Sequence, residues 1–173
     1  MNLEFVSETS PVLLQECEEF NFDNPPFDPK EFAQALHDKM IKSDGLGLSA
    51  NQVGKPYRVF VMRTGEKPYA VFNPKVVDVS DRELVMKEGC LSFPLLYLSV
   101  KRPDSVRIRF QDETGEMRTE QFIGMTARIA QHEFDHMLGK VYTQKASQYE
   151  TQRAMRKRMI LKRKVKSKNV AVT

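Results

Sequence analysis

Two histidines and a glutamate at helical spacing, in His132-Glu133-Phe134-Asp135-His136, constrain this chain more than any other feature. On a helix, positions i and i+4 share a face, so both imidazoles can reach a single cation. Glu133 then sits beside that cation, where its carboxylate can take a proton from water and return it to a leaving group. That is hydrolytic chemistry. A surface helix could carry the same five residues, but the chain has only three histidines and two of them fall in this pattern. The flanks mark a buried helix of roughly 13 residues, close to the usual mean. Gly124-Met125-Thr126 offers a break and a cap, Ala127, Ile129 and Ala130 suit tight packing, and Gly139 stands where a left-handed C-terminal residue is expected.

A hydrolytic metal usually takes three protein ligands and leaves a position for water. One protease class finds its third ligand in H-E-x-x-H-x-x-G-x-x-H. Here Gly139 matches that pattern, but Tyr142 stands at the next ligand position. The remaining strong ligands are His37, Cys17 and Cys90, with Glu150 the only glutamate beyond His136. The setting of Cys90, Glu88-Gly89-Cys90-Leu91-Ser92-Phe93-Pro94, favours it. A glycine before it and Ser-x-Pro after it predict a sharply bent backbone, where a thiolate and a neighbouring N–H can point the same way. A buried thiol packing as a small hydrophobe is the commoner fate of a lone cysteine, yet a two-histidine helix lacking a ligand tips the balance toward coordination.

Gly45-Leu46-Gly47-Leu48-Ser49-Ala50-Asn51-Gln52 fits a dinucleotide fingerprint superficially. That use needs a strand before it and a helix after it. The order here is reversed: Phe32, Ala33, Leu36, Met40 and Ile41 lie at helical spacing within residues 29–43, whereas residues 57–62 read as a strand. The segment suits close backbone approach to a ligand instead, with Gln52 as a neutral amide donor.

In this order, the three segments resemble the peptide deformylase family, which carries G-x-G-x-A-A-x-Q, E-G-C-L-S and H-E-x-x-H. Only Ser49 departs, where the family usually has alanine, and the resemblance covers about residues 28–145. It implies that Cys90, His132 and His136 bind one divalent metal, and that Glu133 is the general acid and base. The Gln52 amide and the Leu91 N–H would form an oxyanion hole, and Arg102 would pair with Glu88. Leu46, Gly47, Met86, Met125 and Ile129 would line the substrate-methionine pocket, with Arg128 standing where the family commonly has an apolar residue. The implied reaction removes the N-formyl group from the formyl-methionine of nascent polypeptides and releases formate. Fe2+ is the metal the resemblance implies first, with Zn2+, Ni2+ or Co2+ as substitutes, since affinity order alone does not select iron.

The remaining composition fits a soluble monomer of one core. No apolar stretch approaches the roughly 20 residues that span a bilayer. The N-terminus is acidic, with no basic residue before Lys30, and so shows neither a secretory signal nor a transit peptide. Two cysteines make no disulfide framework and suit the cytoplasm, bacterial or that of a host if the chain is virus-encoded; an organellar origin also stays open. Residues 69–73, 75–79, 106–110 and 117–123 read as strands, with Asp112-Glu113-Thr114-Gly115 as a hairpin turn. The expected fold is α+β, short antiparallel strands around a central metal-bearing helix, with helices at both ends. The first 25 residues lack the family pattern.

Charge divides the chain. Residues 1–150 hold 18 Lys+Arg against 23 Asp+Glu, a net of −5, whereas 151–173 hold nine basic residues and no acidic one. A Ser147-x-x-Glu150 capping box opens this tail as a helix. Residues 1–146 would thus be a catalytic domain and 147–173 a basic tail, either solvated or docked on ribosomal RNA. Two other classes compete: an HExxH metalloendopeptidase, and a metal-stabilised RNA-binding module that leaves Glu133 and Gln52 without a task.

Overall fold

The computed structural model describes residues 1–65 and 67–170, and side chains except those of 67, 68 and 165–170. Helix α1 (Pro29–Lys42) opens on Asp28, whose side chain accepts from the Glu31 N–H at 2.8 Å, and has proline in its first turn. Five strands form one antiparallel sheet in the order β1-β2-β3-β6-β7: β1 (Gly47–Ser49), β2 (Val59–Thr64), β3 (Lys67–Val79), β6 (Ser105–Gln111) and β7 (Met117–Ile123). Between β3 and β6 the chain makes a separate two-stranded ribbon, β4 (Glu83–Cys90) with β5 (Phe93–Pro103). Helix α2 (Met125–Met137) carries the two histidines, and α3 (Gln148–Val170) closes the described chain. The α+β class stands.

Strand β2 is buried at four consecutive positions because both faces of the sheet are covered there. Val59 and Val61 join Phe32, Leu36 and Met40 of α1, while Phe60 and Met62 join Ala127, Ala130 and Met137 of α2. The two expected strands at 69–73 and 75–79 are one. Pro74 falls in a register irregularity between Phe72 and Lys75, where Asn73 adopts φ 49°, so the proline bends the strand without ending it.

Helix α2 is 13 residues long and begins after Gly124 at φ 61°. It lies between the sheet and the ribbon, touching β1, β2, β6 and β7 on one side and β5 on the other. The N-terminal segment clamps its far end, where Cys17 N–H donates to Met137 O at 2.8 Å and Glu16 bridges to Leu138. On the outer side of the ribbon α3 packs Ala154 and Met155 over Leu96, Leu98 and Val100. Ser147 caps it by accepting from the Glu150 N–H, but Glu150 does not complete the expected box; its carboxylate accepts from Ser99 N–H of β5 at 2.8 Å. No helix among the described residues is long and apolar enough to cross a membrane.

Candidate active site

Cys90 ends β4, and Leu91 and Ser92 form the tight turn into β5, with Cys90 paired to Phe93. The bent backbone expected at this cysteine is thus a hairpin turn. It delivers the thiol to α2: Cys90 Sγ lies 3.2 Å from His136 Nε2, and the ligand atoms of Cys90, His132 and His136 all lie within 4.8 Å of one another. His37 and Cys17 are not part of this group, and Cys17 is buried in the apolar core between sheet and α2. Tyr142, at the alternative ligand position, packs its ring on His132 and donates its hydroxyl to Leu96 O at 2.8 Å.

The donor set suits a divalent cation. Glu88 accepts at both carboxylate oxygens: Oε1 from Arg102 Nε at 2.6 Å and Arg128 Nη1 at 2.8 Å, Oε2 from Arg102 Nη2 at 2.9 Å, with His132 Nδ1 also at 2.9 Å. Burial opposes the charge on Glu88, but the Arg102 guanidinium and the His132 ring override it and hold the carboxyl well below the usual carboxylate range. An ionised Glu88 accepts a hydrogen bond from the Nδ1–H of His132 and leaves Nε2 facing the cation. Burial also opposes a charged His132, yet hydrogen bonds to Cys90 and Glu88 stabilise the charged ring and raise its pKa to about 10. His136 is pushed well below its ordinary value by burial and then by the charges of His132 and Arg102, so it stays neutral, as a ligand must.

Glu133 is buried beside this group, with Oε2 lacking a hydrogen-bond partner among the described residues. Burial pushes its carboxyl up to about 7 against the opposing pull of His132 and Ser49. That value suits a base and acid working near neutrality. A side chain at Gly47 would run into this carboxylate, which explains the glycine. Gln52 is held from behind, where Ser49 N–H and Oγ–H both donate to Oε1, at 3.0 and 3.2 Å. Its Nε2 faces Cys90 Sγ at 3.4 Å and donates to Ser92 Oγ at 2.9 Å.

A cleft in front of these groups is lined by Leu46, Gly47, Gln52, Leu91, Met125, Ile129, His132 and Glu133. Met86, expected there, is half-buried on β4 and does not line it; Lys87, Leu95, Leu96 and Tyr97 do. Leu95, Leu96 and Tyr97 belong to β5, a strand that the sequence pattern does not predict. Arg128 also borders the cleft, but its guanidinium donates to Glu88, Val100 O and Leu84 O. Asp135, within the motif itself but not predicted as a site residue, binds Arg102 Nη1 at 2.5 Å and Lys145 Nζ at 3.2 Å.

Comparison with protein families matches residues 3–152 to Polypeptide deformylase. The chain belongs to the peptide deformylase family. A peptide deformylase of Thermotoga neapolitana is 41% identical over 110 residues, covering 64% of this chain and 67% of that protein. Among solved structures, a peptide deformylase from Synechococcus elongatus in complex with actinonin superposes with a TM-score of 0.85 at 29% identity, over 90% of this chain and 85% of that one. A peptide deformylase from Plasmodium falciparum gives 0.83 at 32% identity, over 95% and 98%. Membership of the deformylases weighs against the endopeptidase and RNA-module readings, and the match from residue 3 brings the N-terminal segment into the family.

Proposed function

We propose that this cleft removes the formyl group from the N-terminal formyl-methionine of nascent polypeptides, releasing formate. The observation that carries the reading is the convergence of Cys90, His132 and His136 on one point, with the Glu133 carboxylate beside it, its Oε2 unpartnered among the described residues. These three side chains would hold a divalent cation, which would supply Lewis acidity for water and for charge developing on the formyl oxygen. Glu133 takes the proton of the attacking water and hands it to the leaving amine nitrogen, so formate departs from a free N-terminus. Gln52 Nε2 and the Leu91 N–H donate to the developing oxyanion, and the Ser49 contacts behind Gln52 keep its amide aimed. Leu46, Gly47, Met125 and Ile129 receive the methionine side chain.

Iron is the first-choice metal in this reading, with Zn2+, Ni2+ or Co2+ as substitutes, and a thiolate on ferrous iron is open to oxidation. The protein works as a cytoplasmic monomer. Its residues 1–146 do the chemistry, while the exposed Arg153, Arg156 and Lys157 of α3 dock on ribosomal RNA. Formate release from a formyl-Met peptide, beside a protease assay on its acetylated analogue, tests the reaction: formate without internal cleavage is expected, and cleavage of the acetylated chain would overturn it. Reversing the charge at these three positions should abolish salt-sensitive ribosome co-sedimentation; unchanged co-sedimentation would rule the docking out.

A further inference from the structure

The metal ligands come from two elements that share no backbone ladder. Cys90 belongs to the ribbon, which is not hydrogen-bonded into the main sheet, and both histidines belong to α2. Their geometry therefore depends on side chains that fix the ribbon against the helix. Arg128 lies one helical turn before His132, on the same face. It is 5% exposed, and its guanidinium reaches three ribbon groups at once: Leu84 O of β4 at 2.6 Å, Val100 O of β5 at 2.8 Å, and Glu88 Oε1 at 2.8 Å. Two of these bonds tie α2 to the two strands of the ribbon. The third ends on the carboxylate that orients His132.

We propose that Arg128 is a positioning residue for the metal centre, registering the strand that carries Cys90 against the helix that carries His132 and His136. The proposal rests on the Cys90–His132–His136 site argued above. A planar fork with several donors can hold two carbonyls and a carboxylate together, which an ammonium on a flexible stem does poorly. Methionine at this position, of similar length, would leave the two strand carbonyls and one Glu88 contact without their donor.

Full-length protein loaded with Co2+ tests this, as wild type, Arg128→Lys and Arg128→Met. Three quantities are measured: Co2+ loss to excess chelator, the visible absorption of the bound Co2+, and thermal melting of the metal-free protein. Loss of a group supporting a metal ligand typically weakens metal binding by about 10–100-fold, so Arg128→Met should release Co2+ about that much faster with an altered spectrum, and Arg128→Lys should recover part of both. Wild-type release rates with superimposable spectra in both variants would overturn the proposal. So would faster release that merely tracks the fall in melting temperature. If Arg128→Met fails to fold, Arg128→Lys decides on the same readings, with wild-type release and spectrum counting against the proposal. A wild-type chain that takes up no stoichiometric Co2+ would sink the metal site itself, a failure distinct from that of Arg128.

Discussion

The two sides of α2 are packed by opposite means. Toward the sheet it presents Ala127, Ala130 and Met137 to Phe60, Met62, Val71 and Ile108, a dry contact in which small residues let helix and strands approach closely. Toward the ribbon it presents Arg128, His132, Asp135 and His136, which meet Glu88, Arg102 and Cys90. Apolar burial stabilises by about 25 cal/mol per Å² and has no preferred direction. Buried ion pairs contribute little net stability after desolvation, but each bond has a direction. The dry side therefore holds the helix in the fold, and the charged side aims its ligands.

Mutations can break that division. The largest effect belongs to Glu133→Ala, which should keep its metal yet lose about two to four orders of magnitude in turnover, the range for a lost general acid and base. Near-normal turnover by a fully metallated variant would remove Glu133 from the chemistry. Next, Cys90→Ser should lose metal to a chelator at least about tenfold faster than wild type, while Cys17→Ser, altered on the dry side, should not. Burial pushes the Cys17 thiol up to about 11, so alkylation of the native metal-free protein should also spare it. Equal metal loss from the two variants would place the third ligand elsewhere.

On the dry side, Ala130→Leu should overpack the helix against the sheet at a cost of about 1–3 kcal/mol, lowering Tm while leaving the Co2+ spectrum nearly unchanged. A large spectral shift would show that the two sides are coupled. The smallest effect concerns pH. Because the folded Glu88 pKa is depressed, its contribution to stability is fully present above the unfolded value of about 4.3 and is lost as pH falls toward the folded value. The Tm gap between wild type and Glu88→Gln should shrink below about pH 4. A gap that stays constant down to pH 2.5 would show that Glu88 contributes no charge-dependent stability.

The same contrast explains what was legible in the sequence. Apolar side chains at helical spacing marked α1 and α2, and the continuous run of β2 followed from its two covered faces. The grouping of Cys90 with His132 and His136 was legible because two imidazoles at i and i+4 share a helix face and the bent Glu88–Ser92 segment singled out one thiol to meet them. The ribbon was not, since Glu88 and Arg102 fill inward positions where alternation predicts apolar residues. Arg128 read as an intrusion into an apolar pocket because its partners, Leu84 O and Val100 O, are backbone atoms that no residue pattern announces. Gln52 read as a donor, but the turn that aims it depends on Ser49, the one departure from the family motif.

The N-terminal clamp on α2 bears on the order of synthesis. A chain made from its N-terminus presents Cys17 long before Met137, whose carbonyl its N–H must find, and Glu16 bridges to Leu138. Glu8 waits longer still for Arg158, which lies 150 positions downstream. Such distant pairings form slowly, because a long loop must close before any contact rewards it. Buried Cys17, which packs with Ala127, Ala130 and Met137 of α2, therefore stays uncovered while the middle of the chain is translated, and the far end of α2 can lock only after most of the polypeptide has been made.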